Sequence, residues 1–320
     1  PLTRDGSPRK VLDGRFIARG WIQLFTSEPR YVLVIGGLED DLATHTAYAL
    51  EDMRQIAEWR VRDEKQDWFS PMINKAMTHY VCVSQVDYGN QWRTQSMSFR
   101  VHIQGQETPV LTGQGRPMAV SPGGKFLAVQ QDDSSSCVYE VETGKIVGEF
   151  SMPDDWKGFS QMMAAFSDDG KRVVVDTPKS LEVMDLMGGY SKWSLGVGEG
   201  TPYRGGTLCF SPEGTRVLSA GNGGAALLDA DSGELLHTFV ERERFANVYG
   251  NGAGFWSGLA TRAMEWAGSL SDRFKPTASV EAAFANGGRQ VITHAAGQVI
   301  RVWDAASGKL QRTIRTGLPE

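Results

Sequence analysis

The chain has 320 residues, 41% hydrophobic and 22% charged, with a formal net charge of −5 and an isoelectric point near 5.7. Its charged runs, Arg60 to Lys65 and Glu241 to Arg244, mix both signs, so no basic surface is written for nucleic acid. No stretch reaches the ~18 uninterrupted apolar residues of a membrane span, and the polar, basic N-terminus lacks the apolar core of a signal peptide. These absences point to a soluble, cytoplasmic chain.

The first elements are faint. Tyr31-Val-Leu-Val-Ile35, Thr44 to Leu50 and Gln55 to Val61 read as three strands from their β-branched and aromatic content. Tyr80-Val-Cys-Val83, Met97 to Ile103 and Pro109-Val-Leu111 read as three more. From residue 115 the pattern sharpens. Arg-Pro-Met-Ala-Val is followed by a Ser-Pro-Gly-Gly turn, Lys-Phe-Leu-Ala-Val-Gln, a polar loop, Ser-Cys-Val-Tyr-Glu-Val, the turn Glu142-Thr-Gly-Lys and Ile-Val-Gly-Glu-Phe150. Four short runs bounded by Gly, Pro, Asp and Ser predict a four-stranded antiparallel meander.

The same division recurs over 161 to 195, 205 to 240 and 279 to 316. The turn glycine at 124 returns at 170, 214 and 288, and the second turn's glycines at 144, 189, 233 and 308 keep step. Two spacings are 46 and 44 residues and the third is 74. A period in the forties marks a stacked repeat. A four-stranded sheet cannot bury both faces alone, whereas sheets packed face to face around an axis can. The expected fold is therefore all-β: one β-propeller domain over 1–320, with six countable units and six or seven blades.

The spelling of these units resembles the WD-repeat (WD40-like) family. Val299-Ile-Arg-Val-Trp-Asp304 followed by Ala-Ala-Ser-Gly-Lys-Leu is similar to that family's third strand, closing Trp-Asp and turn into the fourth strand. Weaker echoes are Glu182-Val-Met-Asp185, Ala226-Leu-Leu-Asp229 and Val138-Tyr-Glu140, and the Ser-Pro-x-Gly turns at 121 and 211 also match. No Gly-His dipeptide occurs, and Gly223 and Gly297 stand near the place of the family's aspartate between second and third strands. The resemblance implies a propeller and protein partners.

The long third spacing marks an insertion, residues 242–277. Within it Trp256, Leu259, Ala263, Trp266, Leu270 and Phe274 recur at steps of three and four, predicting an amphipathic helix that ends at Pro276. Gly258 and Gly268 each cost such a helix up to about 1 kcal/mol, so packing must hold it. Its stripe covers its own propeller or receives a partner, and docking it is worth on the order of 5 to 10 kcal/mol. A membrane-surface role is disfavoured, because the polar face lacks a basic excess. Trp68, Phe69, Trp156 and Tyr203 also lie in unit-to-unit connections. Such connections emerge at one end of a meander, so these aromatics and Trp256, Leu259, Trp266, Leu270 and Phe274 form the candidate partner-binding set.

Signals for chemistry are sparse. Gly250-Asn-Gly-Ala-Gly254 precedes the inserted helix, but Phe255 takes the place of the third glycine of a dinucleotide loop and no Gly-Lys-Ser/Thr follows. The histidines His45, His79, His102, His237 and His294 are scattered, without metal-ligand spacing, and the three cysteines have no Cys-x-x-Cys partner and read as buried small hydrophobes. No catalytic, cofactor or metal residues are assigned. The favoured function is a non-catalytic platform for protein partners. The alternatives are a quinoprotein-like enzyme or cofactor carrier, and a sensor domain cut from a longer protein; Pro1 is not a Met, so either the initiator was removed or the chain is a piece of something longer.

Overall fold

The computed structural model describes residues 22–25, 31–39, 42–49, 52, 54–62, 72–85, 97–131, 135–151, 162–177, 180–188, 190–196, 205–221, 224–240, 280–295 and 299–315. Among them all regular structure is strand, arranged as six four-stranded antiparallel sheets whose neighbours follow chain order. The first sheet holds β1 (Ile22–Phe25), β2 (Tyr31–Glu39), β3 (Leu42–Ala49) and β4 (Gln55–Arg62). The second holds β5 (Met72–Ile73), β6 (His79–Gln85), β7 (Met97–Ile103) and β8 (Leu111–Gln114). The third holds β9 (Arg116–Val120), β10 (Phe126–Gln130), β11 (Ser135–Glu140) and β12 (Lys145–Ser151). The fourth holds β13 (Met163–Phe166), β14 (Arg172–Asp176), β15 (Ser180–Asp185) and β16 (Tyr190–Gly196). The fifth holds β17 (Gly205–Phe210), β18 (Arg216–Gly221), β19 (Gly224–Asp229) and β20 (Leu235–Val240), and the sixth β21 (Val280–Ala285), β22 (Gln290–Ala295), β23 (Val299–Asp304) and β24 (Leu310–Arg315). The six expected meanders are present, and β1 and β5 add first strands that the sequence did not spell out. The expected helix within 242–277 lies outside the described residues.

The repeated turns close by repeated chemistry. In Ser-x-x-Gly, the serine hydroxyl accepts the amide of the residue five positions on: Phe126 N to Ser121 Oγ at 2.9 Å, Arg172 N to Ser167 Oγ at 3.0 Å and Arg216 N to Ser211 Oγ at 3.1 Å. The glycine amide folds back to the serine carbonyl at 2.8 to 2.9 Å, which turns the chain tightly enough to require a positive φ. At the second turn an aspartate takes over. Asp185 Oδ1 accepts Met187 and Gly188 amides, Asp229 Oδ1 accepts Asp231 and Ser232 amides, and Asp304 Oδ1 accepts the Ser307 amide and hydroxyl. Asp304, which follows Trp303, is thus a turn cap.

The chain divides into two compact units, Pro1–Val175 with Met184–Tyr190, and Asp176–Val183 with Ser191–Glu320. In the first unit the sheets pack face to face. Successive residues on a strand point to opposite faces. Leu127 and Val129 of β10 join Val81, Phe99 and Val101 of the second sheet, while Phe126 and Ala128 join Val173, Val175, Met184 and Leu186. Covered on both sides, β10 is buried at all five positions. In the second unit Leu218, Ala220, Ala225, Leu227 and Phe239 of the fifth sheet close on Ala282, Val291 and Ala305 of the sixth.

Trp303 ties the sixth sheet across its own strands, its indole donating to Thr293 Oγ1 at 2.9 Å. Trp303→Phe keeps a ring but removes this donor from a fully buried threonine, with an expected loss of about 1–2 kcal/mol. Urea unfolding checks it, as a lower midpoint with an unchanged m-value.

Candidate functional site

The nine candidate partner-binding residues, Trp68, Phe69, Trp156, Tyr203, Trp256, Leu259, Trp266, Leu270 and Phe274, all lie outside the described residues. Their strand roots are described. In the first unit, the connections holding Trp68, Phe69 and Trp156 start from the ends of β4 and β12 and lead into β5 and β13. A meander puts such connections at the end opposite its first turns. Those first turns are knit together. Asn74 Nδ2 and the Ala76 amide both donate to Pro122 O, at 2.9 and 3.1 Å, and Lys75 Nζ reaches Asp168 Oδ2 at 2.8 Å. In the second unit the connection with Tyr203 and the inserted segment leave β16 and β20 and enter β17 and β21, while at the other end Arg216 Nη2 donates to Gly288 O at 2.8 Å.

The fourth strands carry clamps onto the following sheet that the sequence reading did not single out. Trp193 of β16 donates its indole N–H to Ala230 O at 3.0 Å and lies over Gly233. One repeat later His237 of β20 uses Nε2–H on Ala306 O at 2.8 Å and lies over Gly308. Leu111 of β8 stands in the same relation to Gly144 in the first unit. At Gly233 and Gly308 only a residue without Cβ admits the ring of the sheet before it, since an added Cβ would lie 2.8 Å from Trp193 or His237, whereas Leu111 meets Gly144 at an ordinary contact distance. Counting four residues on from the turn glycines at 189 and 233 would have found the first two.

A half-buried cation stands at the first strand of the third sheet. Arg116 at the start of β9 donates to Gln130 Oε1 at 2.9 Å and to Met162 O at 2.5 Å, and Gln130 Oε1 also accepts the Met162 amide. Burial lowers the Arg116 pKa, but the neighbouring acceptors compensate a charge that has no reason to leave. This joins the first strand of the third sheet to that of the fourth and is structural.

The most unusual chemistry in the first unit is a buried aromatic and imidazole cluster. His45 of β3 stands opposite Trp59 of β4, and Tyr80 of β6 stands opposite His102 of β7. Cross-sheet packing unites the two pairs. The Tyr80 hydroxyl is 3.2 Å from His45 Nδ1, their rings are 4.9 Å apart, and Trp59 stacks on Tyr80 at 5.5 Å. All four side chains are 0 to 1% exposed. Burial holds His45 far below the ordinary imidazole range, at about 3, with the nearby His102 adding repulsion. His102 is held at about 4, again by burial first and then by Arg100. Both are neutral at pH 7.

Nucleophiles show the opposite shift, since burial pushes the Cys137 thiol up to about 11, and a protonated thiol is a poor nucleophile. Among the described residues no three His, Cys, Asp or Glu side chains gather as a metal site, and no helix is long and apolar enough to cross a membrane. No protein-family model matches the chain, and no curated protein matches it.

Proposed function

We propose that the chain is a WD-repeat-like β-propeller acting as a non-catalytic, intracellular platform for protein partners. It docks them through the end of the sheets that carries the unit-to-unit connections, with the 242–277 insertion and Trp68, Phe69, Trp156 and Tyr203 as contacts. The observation that carries this reading is the recurrence of one sheet-to-next-sheet clamp at equivalent positions, Trp193 on Ala230 and His237 on Ala306. A contact that repeats with the sequence period is what a radial stack requires, because every sheet meets its successor in the same way. The turn aspartates and serines support the platform reading too. Asp185, Asp229 and Asp304 are committed to capping amides, so these acids hold the scaffold together.

Affinity capture from the native source followed by crosslinking mass spectrometry tests it. The expected result is crosslinks from residues 245–277 to another protein, and loss of that protein in Trp256→Ala/Trp266→Ala with the fold retained. A large buried aromatic pair at an interface is worth several kcal/mol, so its removal weakens association by a hundredfold or more, about 3 kcal/mol. If the double variant kept every association and only melted earlier, the insertion would be packing on its own sheets. A stoichiometric chromophore in the purified protein would instead favour a cofactor carrier.

A further inference from the structure

A buried imidazole is neutral by necessity, and two of them side by side make that necessity cooperative. His45 and His102 come from different sheets and sit on either side of Tyr80, which hydrogen-bonds the first and pairs across the strand with the second. Among the described residues neither His102 nitrogen has a hydrogen-bond partner, and neither does Trp59 Nε1. A charge arriving on His102, which is buried, would find no acceptor among the described residues, with an imidazole and a guanidinium for neighbours. The charged and titratable groups on the packed elements do not offset it. On β7 the neighbour is Arg100, and on β6 the same face offers Tyr80 and Cys82. On β4, Glu58 and Arg60 flank Trp59, so they point to the opposite face, where they pair with each other at 3.3 Å.

We propose that the joint between the first and second sheets is an acid-opened latch, in which protonation of the His45 and His102 pair parts β3 and β4 from β6 and β7. Closed, the latch buries Trp59, Tyr80, Ala47 and Ala57 in one cluster. Open, it frees both imidazoles to take up protons with an ordinary pKa near 6.5. The sign follows from linkage. Both groups are depressed in the closed state, so the joint is fully stable above pH 6.5 and loses stability as pH falls through the window toward 4. The opening is local because it involves this one cluster and leaves the cluster of the second and third sheets, built on Val81, Phe99 and Leu127, without a titrating group of that kind.

Hydrogen-exchange mass spectrometry on the full chain between pH 7 and pH 4.5, corrected for intrinsic exchange, tests the latch. Peptides covering 42–62 are expected to lose protection by up to roughly a hundredfold per pH unit below 6.5, one factor of ten for each histidine, while peptides covering 126–150 hold theirs. His102→Phe should reduce the slope to roughly tenfold per unit, and His45→Gln/His102→Phe should remove it. If His102→Phe does not fold, His102→Gln carries the same measurement. Equal pH slopes for 42–62 and 126–150 in the native chain would overturn the proposal, and so would a slope unchanged by loss of either imidazole.

Discussion

Truncating Phe239 to alanine is expected to cost about 3–5 kcal/mol, the largest effect of any single core change at the joint of the fifth and sixth sheets. Phe239 is fully buried and packs with Leu218, Leu227, Ala282, Val291 and Ala305, which come from both sheets. Its ring also meets Trp303 at 5.4 Å and His237 at 6.5 Å, so the loss removes two aromatic contacts along with the volume. The walls of the resulting cavity are side chains on strands held by hydrogen-bonded ladders, which limits how far they can collapse to fill it. The upper part of the range follows. Denaturant unfolding of the full chain checks this, and Phe239→Leu is expected to recover most of the loss, because it restores volume without the ring. A loss under about 1 kcal/mol for the alanine variant would mean that the two sheets do not depend on this contact.

Gly124→Ala is expected to cost about 3 kcal/mol, far more than alanine normally costs in a turn. Two penalties coincide. The backbone φ of +81° is left-handed, which any Cβ makes unfavourable by about 1–2 kcal/mol. The new Cβ would also lie 1.9 Å from His79 Nδ1 and 2.4 Å from Cγ, inside the ring. The ring cannot simply swing away. His79 Nδ1 is bonded to Thr78 Oγ1 at 2.9 Å, and its amide donates to Asn74 Oδ1 at 2.7 Å, while Asn74 Nδ2 holds the Pro122 carbonyl at 2.9 Å. Gly170→Ala is the internal control. Its φ is +68° but no atom of the described residues lies within 4 Å of the added Cβ, so it should show the backbone penalty alone. Adding His79→Ala to Gly124→Ala should recover the difference between the two variants. Equal losses for Gly124→Ala and Gly170→Ala would show that the His79 ring yields freely.

The sequence was most legible where a local rule recurs. Ser121, Ser167 and Ser211 each precede a glycine by three, and Asp185, Asp229 and Asp304 each close a third strand, so the units of the last two-thirds could be counted from spacing alone. Those residues prove to be the ones that make the turns, through hydrogen bonds spanning only a few positions. β1 and β5 were missed because each is short, the second only two residues, and neither adjoins such a turn. The histidines misled for a different reason. Read along the chain, His45 and His102 are isolated residues of separate units, with no spacing to relate them.

The sequence by itself determined the class of the protein and its internal grammar: antiparallel strands in fours, with serine, glycine and aspartate at fixed places between them. Turn closure is a local event, governed by φ and by hydrogen bonds that reach five residues or fewer, so a linear pattern carries it completely. The tertiary structure alone decided which faces of the sheets meet. It set His45 against Tyr80, Trp193 over Gly233 and Phe239 against Trp303. Such pairings depend on the register of one sheet on the next, which arises from the mutual fit of two buried surfaces and has no signature in either strand read alone.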